Sequence, residues 1–173
     1  MEYMFLPLKR YAEFSGRSRR MEYWMFFLFQ FIVGIVFQVL VMTTVGGAAA
    51  LGARPSSMMA AGGMMMVLAA LYGLFALAML IPSIAVGVRR LHDTERTGWW
   101  LLAPLVPYLL TFILFAVAIG GSSGGMGVLA MLCMLAALGL AITVLVFMFL
   151  DGTKGPNRYG PDPKGGVDAQ VFA

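Results

Sequence analysis

Four long apolar runs, at residues 23–45, 64–88, 99–119 and 127–150, contain no Asp, Glu, Lys or Arg; every charge lies in the short segments that flank them. The first run, 23 residues long, reaches about 34 Å as an α-helix, enough to cross a hydrocarbon core of about 30 Å with slight tilt. Lipid offers backbone groups no hydrogen-bond partner, so each run must be helical. The expectation is an all-α membrane protein, a bundle of four transmembrane helices. Composition agrees, since 61% of the 173 residues are hydrophobic and 12% charged, against roughly 45–50% and about 25% in a soluble domain. Arg17, Arg19 and Arg20 before the first run and Ala48, Ala49 and Ala50 after it imitate a signal peptide. A cleaved signal has an apolar stretch of only about 7–15 residues, so the run is read as a retained span.

The chain divides accordingly into a basic interfacial segment (1–22), a membrane domain (23–150) and a Gly- and Pro-rich tail (151–173). Pro7 is expected to limit any helix in the first segment at its start. Ser18 is placed to N-cap the first span, with Glu22 where the positive helix end favours a carboxylate. Pro82 should kink the second span and free the carbonyl one turn earlier, to be satisfied with help from Ser83 or an adjacent helix. Small residues at four-residue spacing, Ala69 and Gly73 in the second span and Cys133, Ala137 and Ala141 in the fourth, suit close helix packing. Gln30 and Gln38 are expected to bond to neighbouring helices or, alternatively, to line a polar path. Residues 46–63, rich in Gly, Ala and Ser, read as a flexible loop. The tail reads as too short and too polar to fold alone.

Lys and Arg number five before residue 23, three between the second and third runs and three in the tail; Arg54 alone lies between the first and second. By the positive-inside rule this asymmetry puts both termini and the central turn in the cytoplasm. Tyr23, Trp24, Trp99 and Trp100 then mark the inner interface, where amphipathic rings settle. The net charge of +4 belongs to membrane-flanking segments, not to a nucleic-acid surface.

Three polar motifs therefore share one membrane face: Phe14-Ser15-Gly16-Arg17-Ser18-Arg19-Arg20, then Arg89-Arg90-Leu91-His92-Asp93, and Gly155-Pro156-Asn157-Arg158-Tyr159-Gly160-Pro161-Asp162-Pro163. Together they would form a cytoplasmic cap. In these motifs the chain resembles the bacterial inner-membrane proteins known as domain of unknown function 805. That pattern has a basic Gly-Arg motif and aromatic pair, matched at Gly16, Arg17, Arg20, Tyr23 and Trp24. It continues with an Arg-Arg-Leu-His-Asp turn leading to Gly98, Trp99 and Trp100, and an Asn-Arg-Tyr-Gly tail at Asn157, Arg158, Tyr159 and Gly160. The resemblance covers almost the whole chain, with departures at Glu95, where glycine is expected, and Thr97, where serine is. The 46–63 segment looks like an elaboration. What the resemblance implies is a small multi-span protein of the bacterial plasma (inner) membrane, with no activity attached.

If helix continues past Val88, Arg89 and Arg90 lie four and three residues before Asp93, so either can pair with that carboxylate. His92 and Asp93 diverge by about 100° on a helix and are not a ready-made relay. Catalysis by His92 would need a carboxylate from Asp151, Glu22 or Asp162. The alternative is structural, with the arginines anchoring the helix end and His92 and Asp93 tying the turn to the tail. Candidate cap residues are Arg17, Arg19, Arg20, Arg89, Arg90, His92, Asp93, Arg96, Asn157, Arg158 and Tyr159, as a structural network or a site for anionic headgroups.

Met58, Met59, Met64, Met65 and Met66 offer soft thioethers, but residues entering a span explain them more simply than Cu(I). The lone His92 and Cys133 lie too far apart along the membrane normal for zinc. The tail glycines lack the strand-loop-helix context of a phosphate loop. No metal or cofactor is expected. The favoured reading is a non-enzymatic membrane component that binds anionic lipid or a membrane protein partner through the cap, and a homo-oligomer is compatible with it. The alternatives are an oligomeric transporter or channel lined by Gln30 and Gln38, and a headgroup-modifying enzyme using His92.

Overall fold

The computed structural model describes residues 2–52, 54–120 and 125–165. Its helices are α1 (Glu2–Lys9), α2 (Arg20–Ala50), α3 (Pro55–Asp93), α4 (Leu105–Ile119) and α5 (Gly125–Phe149), with a 3-10 turn at Gly98–Leu101 leading into α4. Four segments are long and apolar enough to cross a membrane: Arg20–Ala50, Pro55–Asp93, Gly98–Ile119 and Gly125–Phe149. Their large apolar side chains, such as Phe31, Leu77, Ile113 and Leu138, point outward. An apolar surface on this scale requires lipid, not water, as its solvent. The chain is an all-α, four-span membrane protein, and no β-strand occurs among the described residues.

The segment at 46–63 corrects the expectation of a flexible loop. α2 runs on to Ala50 and α3 begins at Pro55. Alanine has the highest helix propensity, which carries α2 through Ala48, Ala49 and Ala50. The helix stops where Gly52 takes φ +83 and donates its N–H to Ala49 O. Pro55 occupies the first position of α3, where a missing N–H costs nothing. Pro7 likewise does not limit α1, which passes through it with the ring buried. The expected role of Ser18 also fails. α2 starts at Arg20, and the Ser18 backbone N–H is used on Arg89 O at 3.1 Å.

Chain contacts divide the molecule into two units, Met1–Ala12 with Trp24–Ser83 and Glu13–Tyr23 with Ile84–Ala173. In the first, an aromatic ladder holds α1, α2 and α3: Phe5 meets Phe29 edge-on at 5.5 Å, Phe29 meets Phe75 at 6.3 Å, and Phe37 meets Tyr72 at 5.2 Å. α3 continues through Pro82, and the carbonyl this proline leaves without its helical donor is that of Ala78. The Tyr11 hydroxyl donates to Ala78 O at 2.5 Å. Ser83, expected to help there, instead donates to Met79 O at 2.6 Å and accepts from Gln30 Nε2 at 3.1 Å. A Cβ built at Gly73 would meet nothing within 4 Å, so no neighbour packs closely on that residue, while Ala69 lines a groove with Gly34 and Phe37 of α2.

In the second unit α4 and α5 pack against each other. Trp100 meets Phe147 at 5.3 Å and Thr111 reaches Ala130 O at 3.4 Å, contacts that run in opposite chain directions. Ala137 is buried, and with Ala141 it lines a groove of about 410 Å³ beside Leu101, Tyr108 and Met134. The 3-10 turn lies close on α3, since a Cβ at Gly98 would come within 2.8 Å of Val88 Cγ1. Any larger residue there would push the turn, and Trp99 with it, away from the helix.

Candidate functional site

The three polar motifs meet within the second unit around Asp93, a residue 2% exposed at the end of α3. Arg17 Nε donates to Oδ1 at 2.9 Å and Arg90 donates to Oδ2 at 2.5 Å. Arg17 spends its other nitrogens on tail carbonyls, Gly155 O at 2.6 Å and Thr153 O at 2.5 Å. Arg90 reaches Leu150 O and, at 3.4 Å, Met148 O. α5 has no basic residue in its own last turn. Arginines from elsewhere therefore cap its negative C-terminus, Arg90 joined by Arg20 on Phe149 O at 3.2 Å. Arg89 faces Glu22 at 3.1 Å with both side chains buried, so of the two arginines able to pair with Asp93 only Arg90 does. Three buried guanidiniums thus meet two buried carboxylates, and carbonyl dipoles supply the remaining compensation.

The tail docks on this lock. Thr153 N–H donates to Asp93 O at 2.9 Å, and Asn157 Nδ2 donates to His92 O at 3.0 Å and to Thr153 Oγ1 at 3.0 Å. Asn157 Oδ1 accepts from Tyr159 N, and the backbones of Asn157 and Gly160 close the turn. Tyr159 lies flat on His92, ring centroids 3.8 Å apart and planes within 4°. Asp162 closes a second turn by accepting from the N–H groups of Lys164 and Gly155, which hold its carboxyl below the ordinary aspartate value. Asp151 is also held low, first by its bond from Lys164. Arg19 reaches Pro163 O at 2.5 Å. Of the tail, residues 166–173 lie outside the described part.

α3 ends in a Schellman turn: Arg96 N–H bonds to Leu91 O at 2.9 Å and Glu95 N–H to His92 O at 3.1 Å. Glu95 sits at the left-handed position with φ 60, where glycine is the favoured residue. Arg158 reaches across to Glu95 O at 2.8 Å, and Arg96 lies 3.8 Å over the Phe147 ring.

His92 Nδ1 lies 3.2 Å from Gly16 O. A carbonyl only accepts, so this bond places the ring proton on Nδ1. The three carboxylates considered as its catalytic partners are engaged elsewhere: Asp151 with Arg20 and Lys164, Glu22 with Arg89, and Asp162 with the tail backbone. Beside His92 opens a cleft of about 350 Å³, lined by Phe14, Val88, Trp99 and Leu101 among others. Trp99 is 76% exposed, whereas Trp100 packs on Phe147, and Tyr23 and Trp24 are half-buried. Gln30 is tied to Ser83, while Gln38 lines a separate groove in the first unit.

The profile of a family described as protein of unknown function DUF805 matches residues 11–161. The chain belongs to this DUF805 family. It is similar to the inner membrane protein YhaI of Escherichia coli, 34% identical over 166 residues, covering 96% of this chain and 98% of the relative. It is also similar to the inner membrane protein YhaH of the same organism, 31% identical over 168 residues, covering 95% and 98%. Resemblance to the uncharacterized protein YiiR, 32% identical over 89 residues, covers 49% of this chain and 54% of the relative. No solved structure matches the chain. With four apolar helices, this DUF805 protein is a multi-pass inner-membrane protein.

Two residues of the DUF805 chain escape sequence reasoning altogether. A Cβ at Gly152 would run into the Asp93 carboxylate, so only glycine lets the tail pass there. Thr153 joins tail to turn with both its N–H and its hydroxyl. The Asp-Gly-Thr sequence directly after an apolar run is the one signal that could have exposed them.

Proposed function

We propose that this chain is a non-enzymatic membrane component whose polar end, on the cytoplasmic side, binds anionic lipid headgroups. The observation that carries this reading is the division of labour among the cations. Arg17, Arg89 and Arg90 are buried and committed to internal acceptors. Lys154 and Arg158 are exposed on the ordered tail turn and form no ion pair with any described carboxylate. The buried arginines support the platform and the exposed pair faces the headgroups. Exposed Trp99 suits the interface, and the cleft beside His92 suits an acyl chain. At about 1 kcal/mol per cation near an anionic leaflet, the pair contributes roughly 30-fold in affinity.

The test is native mass spectrometry of the purified protein with phosphatidylglycerol and phosphatidylcholine in turn. Preferential retention of the anionic lipid, weakened about 30-fold in a Lys154→Ala, Arg158→Ala double variant, supports the reading. Equal retention of both lipids by the native chain overturns it and turns attention to a protein partner. Reporter fusions at Arg96 and after Lys164 should both fall in the cytoplasm.

A further inference from the structure

Polar side chains at membrane depth mostly find partners inside the chain. Gln30 and Ser83 bond each other, Thr43 and Thr44 donate to Leu40 O, Thr111 donates to Pro107 O, and Thr143 donates to Gly139 O. Gln38 does not. It lies well inside α2, is exposed at the edge of the groove that α2 forms with Met65 and Tyr72 of α3, and its side chain has no hydrogen bond to any described residue. An amide facing hydrocarbon without a partner is costly, and transmembrane helices relieve such groups by bonding across a helix interface.

The surroundings of Gln38 say what that interface is. Phe31, Ile35, Gln38, Met42 and Val45 follow one another at spacings of four, three, four and three, the heptad rhythm of a helix-packing seam, and all five are exposed. A single polar position inside an apolar seam fixes register between helices. Copies of one chain share one orientation in the membrane, so a two-fold axis along the membrane normal sets residue 38 of each copy at the same depth. A primary amide carries both donor and acceptor, and across such an axis two Gln38 side chains satisfy each other with a reciprocal pair of hydrogen bonds.

We infer that α2 is the interface of a parallel homodimer, packed along Phe31, Ile35, Met42 and Val45 and locked by Gln38 against Gln38 of the second copy. The dimer does not depend on the lipid reading of the polar end, which involves neither α2 seam nor Gln38.

The full chain carrying Cys133→Ala, reconstituted in vesicles at low protein density, provides the experiment. Met42→Cys in the seam should cross-link into dimers with a short bis-maleimide, whereas Leu40→Cys, on the opposite face of α2, should not. Single-molecule photobleaching should show dimers for the native chain and a dissociation constant roughly tenfold higher for Gln38→Leu, with Gln38→Asn recovering part of the loss. Monomers at every density, a Gln38→Leu chain that dimerises as tightly as the native one, or equal cross-linking at Leu40 and Met42 would each overturn the inference. A monomer with lipid or another apolar molecule held at Gln38 counts among the overturning outcomes.

Discussion

Replacing Asp93 by asparagine removes one negative charge from between two buried arginines while leaving the side chain almost unchanged in size. Both carboxylate oxygens are used, at 2.9 Å to Arg17 and 2.5 Å to Arg90. An amide can accept from one arginine only, and must turn its own N–H groups toward the other. Breaking a buried ion pair by removing one partner costs about 3–5 kcal/mol, because the remaining charge is left in a poorly solvated place. The expected loss for Asp93→Asn is therefore of that order, a factor of hundreds or more in the unfolding equilibrium. It is measured by denaturant unfolding in detergent micelles, with Asp151→Asn as control. That control loses two ion pairs, to Arg20 and Lys164, whose side chains are 41% to 67% exposed, and solvent screens such pairs strongly. Limited proteolysis adds a second readout, because a displaced Arg17 releases the carbonyls of Thr153 and Gly155 and the tail becomes cleavable. A loss below about 1 kcal/mol with an uncleaved tail would place Asp93 in the class of screened surface pairs and refute the account of the lock.

Glu95→Gly should stabilise the protein. Relief of the left-handed penalty is worth about 1–2 kcal/mol, and the extra freedom of glycine in the unfolded chain returns about 0.4–1 of it; an unchanged or lower melting temperature would contradict the Schellman assignment. Tyr11→Phe leaves the Ala78 carbonyl unsatisfied and should cost about 1–3 kcal/mol. In a Pro82→Ala background, where a helical N–H returns to that carbonyl, the penalty should largely vanish, which a double-mutant cycle reads directly. Asp162 has its folded pKa depressed, so its contribution is present above the unfolded value of 3.8 and is lost as pH falls through the lower folded value. The amide resonances of Gly155 and Lys164 should hold steady from neutral pH down to that range and shift only below it; a transition at higher pH would mean that these bonds do not form.

The four spans were legible because lipid imposes one rule, an uncharged run long enough to cross, and the sequence breaks that rule nowhere between 23 and 45 or in the other three runs. The meeting of the polar motifs was legible for the same reason, since hairpins of spanning helices return to the same face. Local pairing within α3 followed from helical spacing alone, as with Arg90 and Asp93. What spacing could not decide was that Arg89 would turn to Glu22, because that choice depends on how two distant segments pack. The ends of α2 and α3 were missed because glycine and alanine read as loop markers in water, whereas here alanine propensity and a proline at the first helical position extend both helices. Glu95 stood out in the sequence as a departure from glycine, but its cost became visible only with its backbone angle. Tyr11, an ordinary aromatic in a basic segment, carried no sign that it would repair a proline break in a helix beginning more than forty residues later.

The contacts of Arg17 and Arg90 with residues 150 to 155 impose an order of events on synthesis. Those acceptors lie at or beyond the end of α5, so both guanidiniums lack these partners until all four spanning helices have been synthesised. The side chains that flank the first and second spans therefore gain their full set of internal acceptors only after the fourth span has been made. A chain stopped before Leu150 would keep Asp93 between Arg17 and Arg90 but leave both arginines short of the carbonyls that residues 150 to 155 supply.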